Sequence, residues 1–332
     1  MSARRRRVTL ISMGGTIATT PGEVEGDDRP RFGAADLIAG TPGLSEIAEM
    51  TATDAAMVNS AAVTVQSLAE LAATIRAAAE AGQEGVVITQ GTNTIEETAY
   101  ALALMVEPAI PVVLTGAMRR ALDPGADGPA NLLAAIRVAA TPAAAGLGPV
   151  VVHQDEIHLA RWVTKAHTAR VAPFASPGFG PIGAVHEGRV HLWALPAGGE
   201  YLASPAELDL RVELIWAVLG SDGTMARAAV EAGAAGLVVA GLGGGHVPPA
   251  MAEALGEIVA GGLPVVLGSR TGAGPVLRDT YSGPGADREL RALGLISAGT
   301  LAPVKARLRL LVALAAGVDA QAAFESAPGG SG

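Results

Sequence analysis

The sequence predicts an α/β protein in two parts: a larger N-terminal domain around a parallel-rich, doubly wound sheet, and a smaller C-terminal α/β domain. Three observations predict it. Short β-branched runs alternate with Ala-rich helical stretches along the chain, the rhythm of strand, helix and strand in a parallel sheet. The strand candidates are continuously apolar rather than alternating, as in a sheet covered on both faces. A stretch rich in Pro, Gly and Ser, Pro196–Leu208, then interrupts the rhythm before it restarts.

In chain order, Arg4–Arg7 reads as a charged tail ahead of a first strand, Val8–Ser12. Further buried strands are expected at Val86–Gln90, Val112–Thr115 and Val150–His153, each a short apolar run closed by a polar residue. Helices are expected between them at Ser67–Ala81, Ile95–Val106 and Asn131–Ala139. After the interruption come strands Val212–Trp216, Leu237–Gly241 and Val265–Gly268, with helices Met225–Ala232, Pro249–Val259 and Ala302–Ala315. The expected division is therefore 1–195 for the N-terminal domain, 196–210 for a linker and 211–332 for the C-terminal domain. The tail Ser326–Gly332 is low-complexity and is expected to be disordered. No fixed-period repeat is visible.

A chain of 332 residues has the length of about two domains. Half the residues are apolar but only 3% are aromatic, and there are 43 glycines, which points to small aliphatic side chains packed closely. A charged fraction of 17% and a net charge of −9 give no basic field to hold a nucleic acid or an anionic membrane. The absence of cysteine excludes disulfides, thiolate zinc ligands and a thiol nucleophile, leaving Ser, Thr, Lys or a carboxylate for that role. The apolar runs fall well short of the roughly 20 residues a membrane span needs. Arg4–Arg7 followed by Val8–Ile11 is too short for a secretory leader, since Gly14 and Gly15 end the apolar stretch, so a soluble, cytoplasmic protein is expected. The basic run is also compatible with a weak tail for an anionic partner.

Ligands in doubly wound sheets bind at the carboxyl ends of strands, so the loops there carry the candidate chemistry. Ser12–Ala18 follows the first strand with two glycines and presents Thr16 beside backbone N–H groups. Gln90–Thr98 follows the second. Each also has a plain structural reading: an ordinary turn for the first, and for the second a helix cap, because Asn93 with Glu96 and Thr94 with Glu97 both fit a capping box.

Other candidates are weaker. Gly241–His246 could cradle a phosphate but lacks dinucleotide or Walker spacing. His153/His158 and His186/His191 lack the spacing and third ligand of a metal site. Ser269 lacks the Gly-x-Ser-x-Gly elbow, and Trp162, Trp193 and Trp216 read as core or interface aromatics.

Gly14–Ala18 (Gly-Gly-Thr-Ile-Ala) and Gly91–Tyr100 (Gly-Thr-Asn-Thr-Ile-Glu-Glu-Thr-Ala-Tyr) together resemble the bacterial-type asparaginase family. The likeness continues through Thr115–Arg119, Ala126–Leu132, Val163–Lys165 and Ala298–Arg307, in order and over almost the whole chain. It implies the two-domain asparaginase-like fold and an amidohydrolase that converts asparagine, sometimes glutamine, to the acid and ammonia without a cofactor. It further implies a homodimer or homotetramer whose protomers share active sites. By the family's motifs, Thr16 is the nucleophile of an acyl-enzyme, while Thr92, Asn93 and Lys165 form a second catalytic cluster. Ser60, Gly15, Gly91 and Ala117 fall at substrate-binding positions. Backbone N–H groups beside a threonine can hold a developing oxyanion once a neighbouring base takes its proton.

The chain also departs from the pattern. Asn93 stands where the family has an aspartate, and Ala61 where a glutamine often follows the substrate-binding serine. An amide cannot carry the charge that pairs with Lys165 or with a substrate ammonium. The tyrosine expected in the segment after Thr16 is missing, although Thr19–Gly33, with Gly22, Gly26, Asp27, Asp28 and Pro30, has the composition of a mobile lid. An alternative is therefore a variant of the same fold with impaired or altered substrate use, acting on short amides or only binding amino acids.

Overall fold

The computed structural model describes residues 4–20, 29–107, 109–194 and 199–325 and divides into two units, Met1–Tyr201 and Leu202–Gly332. The expected disordered tail, the Gly- and Asp-bearing part of the expected lid and the first residues of the expected linker lie outside the described residues.

The first unit is built on eight strands: β1 (Arg6–Gly14), β2 (Ala48–Val58), β3 (Gly85–Thr89), β4 (Val112–Thr115), β5 (Pro149–His153), β6 (Glu156–Leu159), β7 (Gly183–His186) and β8 (Arg189–Leu192). They lie in the order β8-β7-β6-β5-β4-β3-β1-β2. The five strands β2-β1-β3-β4-β5 are parallel, and β6, β7 and β8 continue the sheet antiparallel. The sheet is thus mixed, its parallel part at one side. The antiparallel extension follows from two tight hairpins whose central residues take positive φ: Gln154 and Asp155 (48° and 64°), then Glu187 and Gly188 (50° and 73°). Both central residues in the left-handed region match the twist of the flanking strands.

β3, β4 and β5 are buried along their whole length, which is why they read as continuous apolar runs. Val87, Val113 and Val150 pack with Leu132, Ala135 and Ile136 of the helix Gly128–Ala139 in one core, while the alternate residues Val86 and Ile88 are buried on the other face. Helix and sheet approach closely where Gly85 faces Ala139: a methyl group there would sit 2.3 Å from the Ala139 carbonyl oxygen. The helices Val65–Glu80 and Ile95–Met105 complete the parallel part.

The second unit carries four parallel strands in sequential order: β9 (Val212–Trp216), β10 (Gly236–Gly241), β11 (Val265–Ser269) and β12 (Ile296–Ser297). Its helices include Thr224–Glu231, Pro249–Ala260 and Pro303–Ala315. Gly236 of β10 lies so near the last of these that a methyl group would meet Leu310 at 2.9 Å. Among the described residues, no helix is long and apolar enough to cross a membrane.

Candidate active site

The order β2-β1-β3-β4-β5 reverses its direction of growth between β1 and β3, and a crevice opens outside the carboxyl ends of such a pair. The two candidate loops leave the sheet there. After β1, Gly14 and Gly15 both take positive φ (80° and 83°), and a short 3-10 turn, Thr16–Ala18, follows. The Thr19 hydroxyl closes the turn on the Gly15 carbonyl at 2.8 Å. Gly15 lies against Gly91 of the second loop; a Cβ on Gly15 would fall 2.2 Å from the Gly91 nitrogen, and one on Gly91 would fall 2.5 Å from Ser60 Oγ. The glycines are thus what allows three chain segments to converge.

Their convergence leaves a cleft of ≈ 220 Å³ lined by Gly15, Thr16, Thr19, Pro30, Asn59, Ser60, Gly91, Thr92, Asn93 and Arg120. Most of these are threonine, serine or glycine, so hydroxyls and backbone dominate the lining. Lys165 reaches it from the short strand Thr164–Lys165, donating from Nζ to Thr92 Oγ1 at 2.7 Å and to Asn93 Oδ1 at 3.4 Å. The Lys165 backbone N–H donates to Glu96 Oε2 at 3.0 Å, which fixes the lysine against the start of the helix Ile95–Met105. Burial pushes the Lys165 ammonium below its ordinary value of 10.5, and the Glu96 carboxylate opposes that shift.

The capping boxes that the sequence suggests here do not form. Thr94 is the N-cap residue but makes no side-chain cap; its hydroxyl accepts from Gln90 Nε2 at 2.9 Å and donates to the Ser60 carbonyl at 2.9 Å. Glu96 serves Lys165 instead. Side chains that would satisfy a helix end in isolation are thus used to hold the Ser60 and Lys165 segments in place.

A third loop, after β4, is anchored by Asp127 and Asn131. The buried Asp127 carboxylate accepts the N–H groups of Met118 (3.0 Å) and Arg119 (2.8 Å), and Asn131 Nδ2 donates to the Gly116 carbonyl at 3.0 Å. This places Met118 Sδ 3.4 Å from the Thr92 hydroxyl and Arg120 at the cleft. Behind it, buried His153 faces Asn131 at 3.2 Å; desolvation lowers its pKa from 6.5 to about 4, against the pull of Asp127. Ala117 is 1% exposed and packs in the core beneath this loop rather than among the cleft-lining residues.

Sequence reasoning missed Arg120, Asn59, Thr19 and the bracing residues Gln90, Thr94 and Glu96. The first three carry no signal beyond adjacency to the motifs, while the polar run Gln90–Glu97 is visible but reads as capping. Elsewhere, Gly241–Gly245 folds back on itself, Leu242 N–H donating to the His246 carbonyl at 2.7 Å. His246 Nε2 sits 3.4 Å from Asp287, and Trp162 stacks on Phe179 with ring centroids 3.7 Å apart.

Comparison with known proteins bears on the fold and the family. Residues 7–196 match the family model "Asparaginase, N-terminal" and residues 211–325 match "Glutaminase/Asparaginase C-terminal domain". The chain is 40% identical over 324 residues to a probable L-asparaginase of Deinococcus radiodurans, covering 96% of each protein. It is 32% identical over 343 residues to one component of the glutamyl-tRNA(Gln) amidotransferase of Halobacterium salinarum, covering 98% of this chain and 79% of that one. The crystal structure of a probable cytoplasmic L-asparaginase from Campylobacter jejuni superposes with a TM-score of 0.85 at 33% identity, covering 97% and 98% of the two chains. With both family models matched in order, relatives aligned nearly end to end and the same two-domain fold, the chain belongs to the asparaginase family of amidohydrolases.

Proposed function

We propose that the protein hydrolyses the side-chain amide of L-asparagine to L-aspartate and ammonia, with Thr16 as nucleophile. The observation that carries this reading is that Thr16 and the hydrogen-bonded pair Thr92 and Lys165 serve one cleft at the switch point of the sheet. Thr16 Oγ1 attacks the amide carbon, the C–N bond breaks, and the leaving nitrogen takes a proton to depart as ammonia. Water then cleaves the threonyl ester and restores the hydroxyl. Backbone N–H groups of the glycine-bearing loops are suited to the developing oxyanion, and the Lys165–Thr92 pair holds or moves a proton. Ser60 binds the substrate's carboxylate end, and Gly15 and Gly91 admit the substrate against bare backbone. No cofactor enters any of these steps.

The assay is ammonia release from L-asparagine, compared between the wild type and Thr16→Ala. A folded wild-type protein that releases none would defeat the reading. We also infer a homodimer or homotetramer with shared sites, supported by the small-residue composition, and a cytoplasmic location, supported by the likeness to the probable cytoplasmic L-asparaginase of Campylobacter jejuni. Light scattering tests the assembly: a fully active monomer would contradict it. A second reading, altered substrate use, is favoured by the amide at Asn93, which contributes a carbonyl to Lys165 where an acid would contribute charge.

A further inference from the structure

The threonine that receives Lys165 has a second partner, a methionine sulfur. Thr92 is 6% exposed, and its Oγ1 accepts from Lys165 Nζ at 2.7 Å. A hydroxyl has one proton to give, and among the described residues Thr92 gives it to Met118 Sδ at 3.4 Å. The backbone holds the sulfur's segment in place: the Met118 N–H meets both oxygens of the buried Asp127 carboxylate, at 3.1 and 3.0 Å, and Asn131 Nδ2 donates to the same carboxylate at 3.0 Å. The loop is also seated against Thr92, since a Cβ on Gly116 would fall 2.4 Å from the Gln90 carbonyl oxygen and 3.3 Å from Thr92 Cγ2.

A thioether is a weak acceptor, so it aims the hydroxyl without holding its proton tightly. It is also the group of a methionine that a peroxide oxidises. The other described methionines are placed differently. Met13, Met105 and Met251 are buried at 1% exposure or less, Met50 and Met57 pack against the core, and Met225 is 68% exposed in the second unit. Met118 is half-buried and bonded to the Lys165–Thr92 pair.

Resting on the amidohydrolase reading above, we propose that Met118 is a positioning residue for the Thr92 hydroxyl and a redox modification site, at which oxidation to methionine sulfoxide by a peroxide slows turnover reversibly. The sulfur lone pair attacks a peroxide oxygen, an S–O bond forms as the O–O bond breaks, and water leaves. The sulfur loses two electrons and the peroxide gains them. The sulfoxide oxygen is a far stronger acceptor than the thioether, so it retains the Thr92 proton that the Lys165–Thr92 pair would otherwise hold or move. A sulfoxide reductase supplied with a dithiol returns the thioether, with water and a disulfide as the other products.

The test exposes the full-length wild type, Met118→Leu and Met225→Leu to graded hydrogen peroxide. It then measures kcat and KM for ammonia release from L-asparagine, the unfolding midpoint, and sulfoxide at each methionine by peptide mass spectrometry. In the wild type, kcat should fall by about tenfold in step with the Met118 sulfoxide while KM changes less than about twofold and the midpoint holds. Reductase treatment should restore it. Leucine keeps the volume but offers no sulfur, so Met118→Leu should start with a several-fold lower kcat and lose nothing further to peroxide. Met225→Leu should respond as the wild type does. A kcat indifferent to the Met118 sulfoxide, a Met118 that peroxide does not oxidise, or a Met118→Leu variant as sensitive as the wild type overturns the proposal and leaves the amidohydrolase reading standing. Unfolding in step with lost turnover does the same, because it marks a packing role for the sulfur. Untreated, folded wild type that releases no ammonia overturns both.

Discussion

Gly15 and Gly91 meet backbone to backbone, so near that a single added carbon on Gly15 would lie 2.2 Å from the Gly91 nitrogen and 2.5 Å from its Cα. Gly15 also takes φ 83° and ψ −176°, a region closed to side chains. The contact joins the loop bearing Thr16 to the loop bearing Thr92, so the cleft depends on both residues lacking a Cβ. Gly15→Ala should therefore cost at least the roughly 1–3 kcal/mol of backbone strain such a conformation imposes, with the steric clash added. Urea unfolding and ammonia release should both report it. Wild-type stability together with wild-type turnover would contradict this packing.

Thr16→Ala should abolish ammonia release with little loss of stability. Thr16 lies in a loop turn at the cleft, partly exposed, and losing a methyl and hydroxyl there creates no core cavity. The two readouts separate chemistry from folding: a melting temperature near the wild type's with turnover lost is the expected pair. Retained turnover would assign the nucleophile elsewhere.

What the sequence made legible and what it hid follow from burial. Val86–Thr89 and Val112–Thr115 announce themselves because both faces are covered and every position is apolar or small. β2 has no such mark: residues 51–54 are exposed at the sheet edge, and their Thr, Ala and Asp side chains carry no core pattern. β6, β7 and β8 are four residues each and depend on hairpins led by Gln154-Asp155 and Glu187-Gly188, of which only the second contains glycine. At the site, Thr16, Thr92 and Lys165 were legible through motifs. Arg120 was not, because its place depends on Asp127 gathering the loop after β4, a contact that spacing alone does not reveal.

The pH profile should depend on Lys165. Burial lowers its pKa from 10.5 and Glu96 raises it. If the neutral amine is the form that accepts a proton through Thr92, kcat/KM should rise with pH along a limb centred below 10.5. Glu96→Gln keeps an acceptor for the Lys165 backbone N–H but removes the negative charge that favours the ammonium. The limb should therefore move to lower pH. Asn93→Asp adds a negative charge within reach of Nζ and should move it upward. A limb that stays in place in both variants would remove Lys165 from the proton path.

The buried ring of His153 should make the protein acid-sensitive. Asp127 Oδ2 lies 3.7 Å away and favours the charged ring, while charge on His158 or Lys165 would oppose it; desolvation outweighs Asp127, and the folded ring protonates only at about pH 4 instead of 6.5. Above pH 6.5 both folded and unfolded chains hold a neutral ring, and the residue contributes no pH dependence. As pH falls from 6.5 toward 4, the unfolded chain takes up a proton that the folded chain refuses, so stability declines by roughly 3 kcal/mol across that window. His158, also held below its ordinary value by burial against the opposing Glu156, adds a decline of the same sign. Urea midpoints across that acid range should thus fall steadily for the wild type. His153→Gln lacks the titrating ring and should lose about one proton's worth of that slope while retaining the part due to His158. If the variant's stability changes with pH as steeply as the wild type's, the acid sensitivity originates elsewhere in the fold.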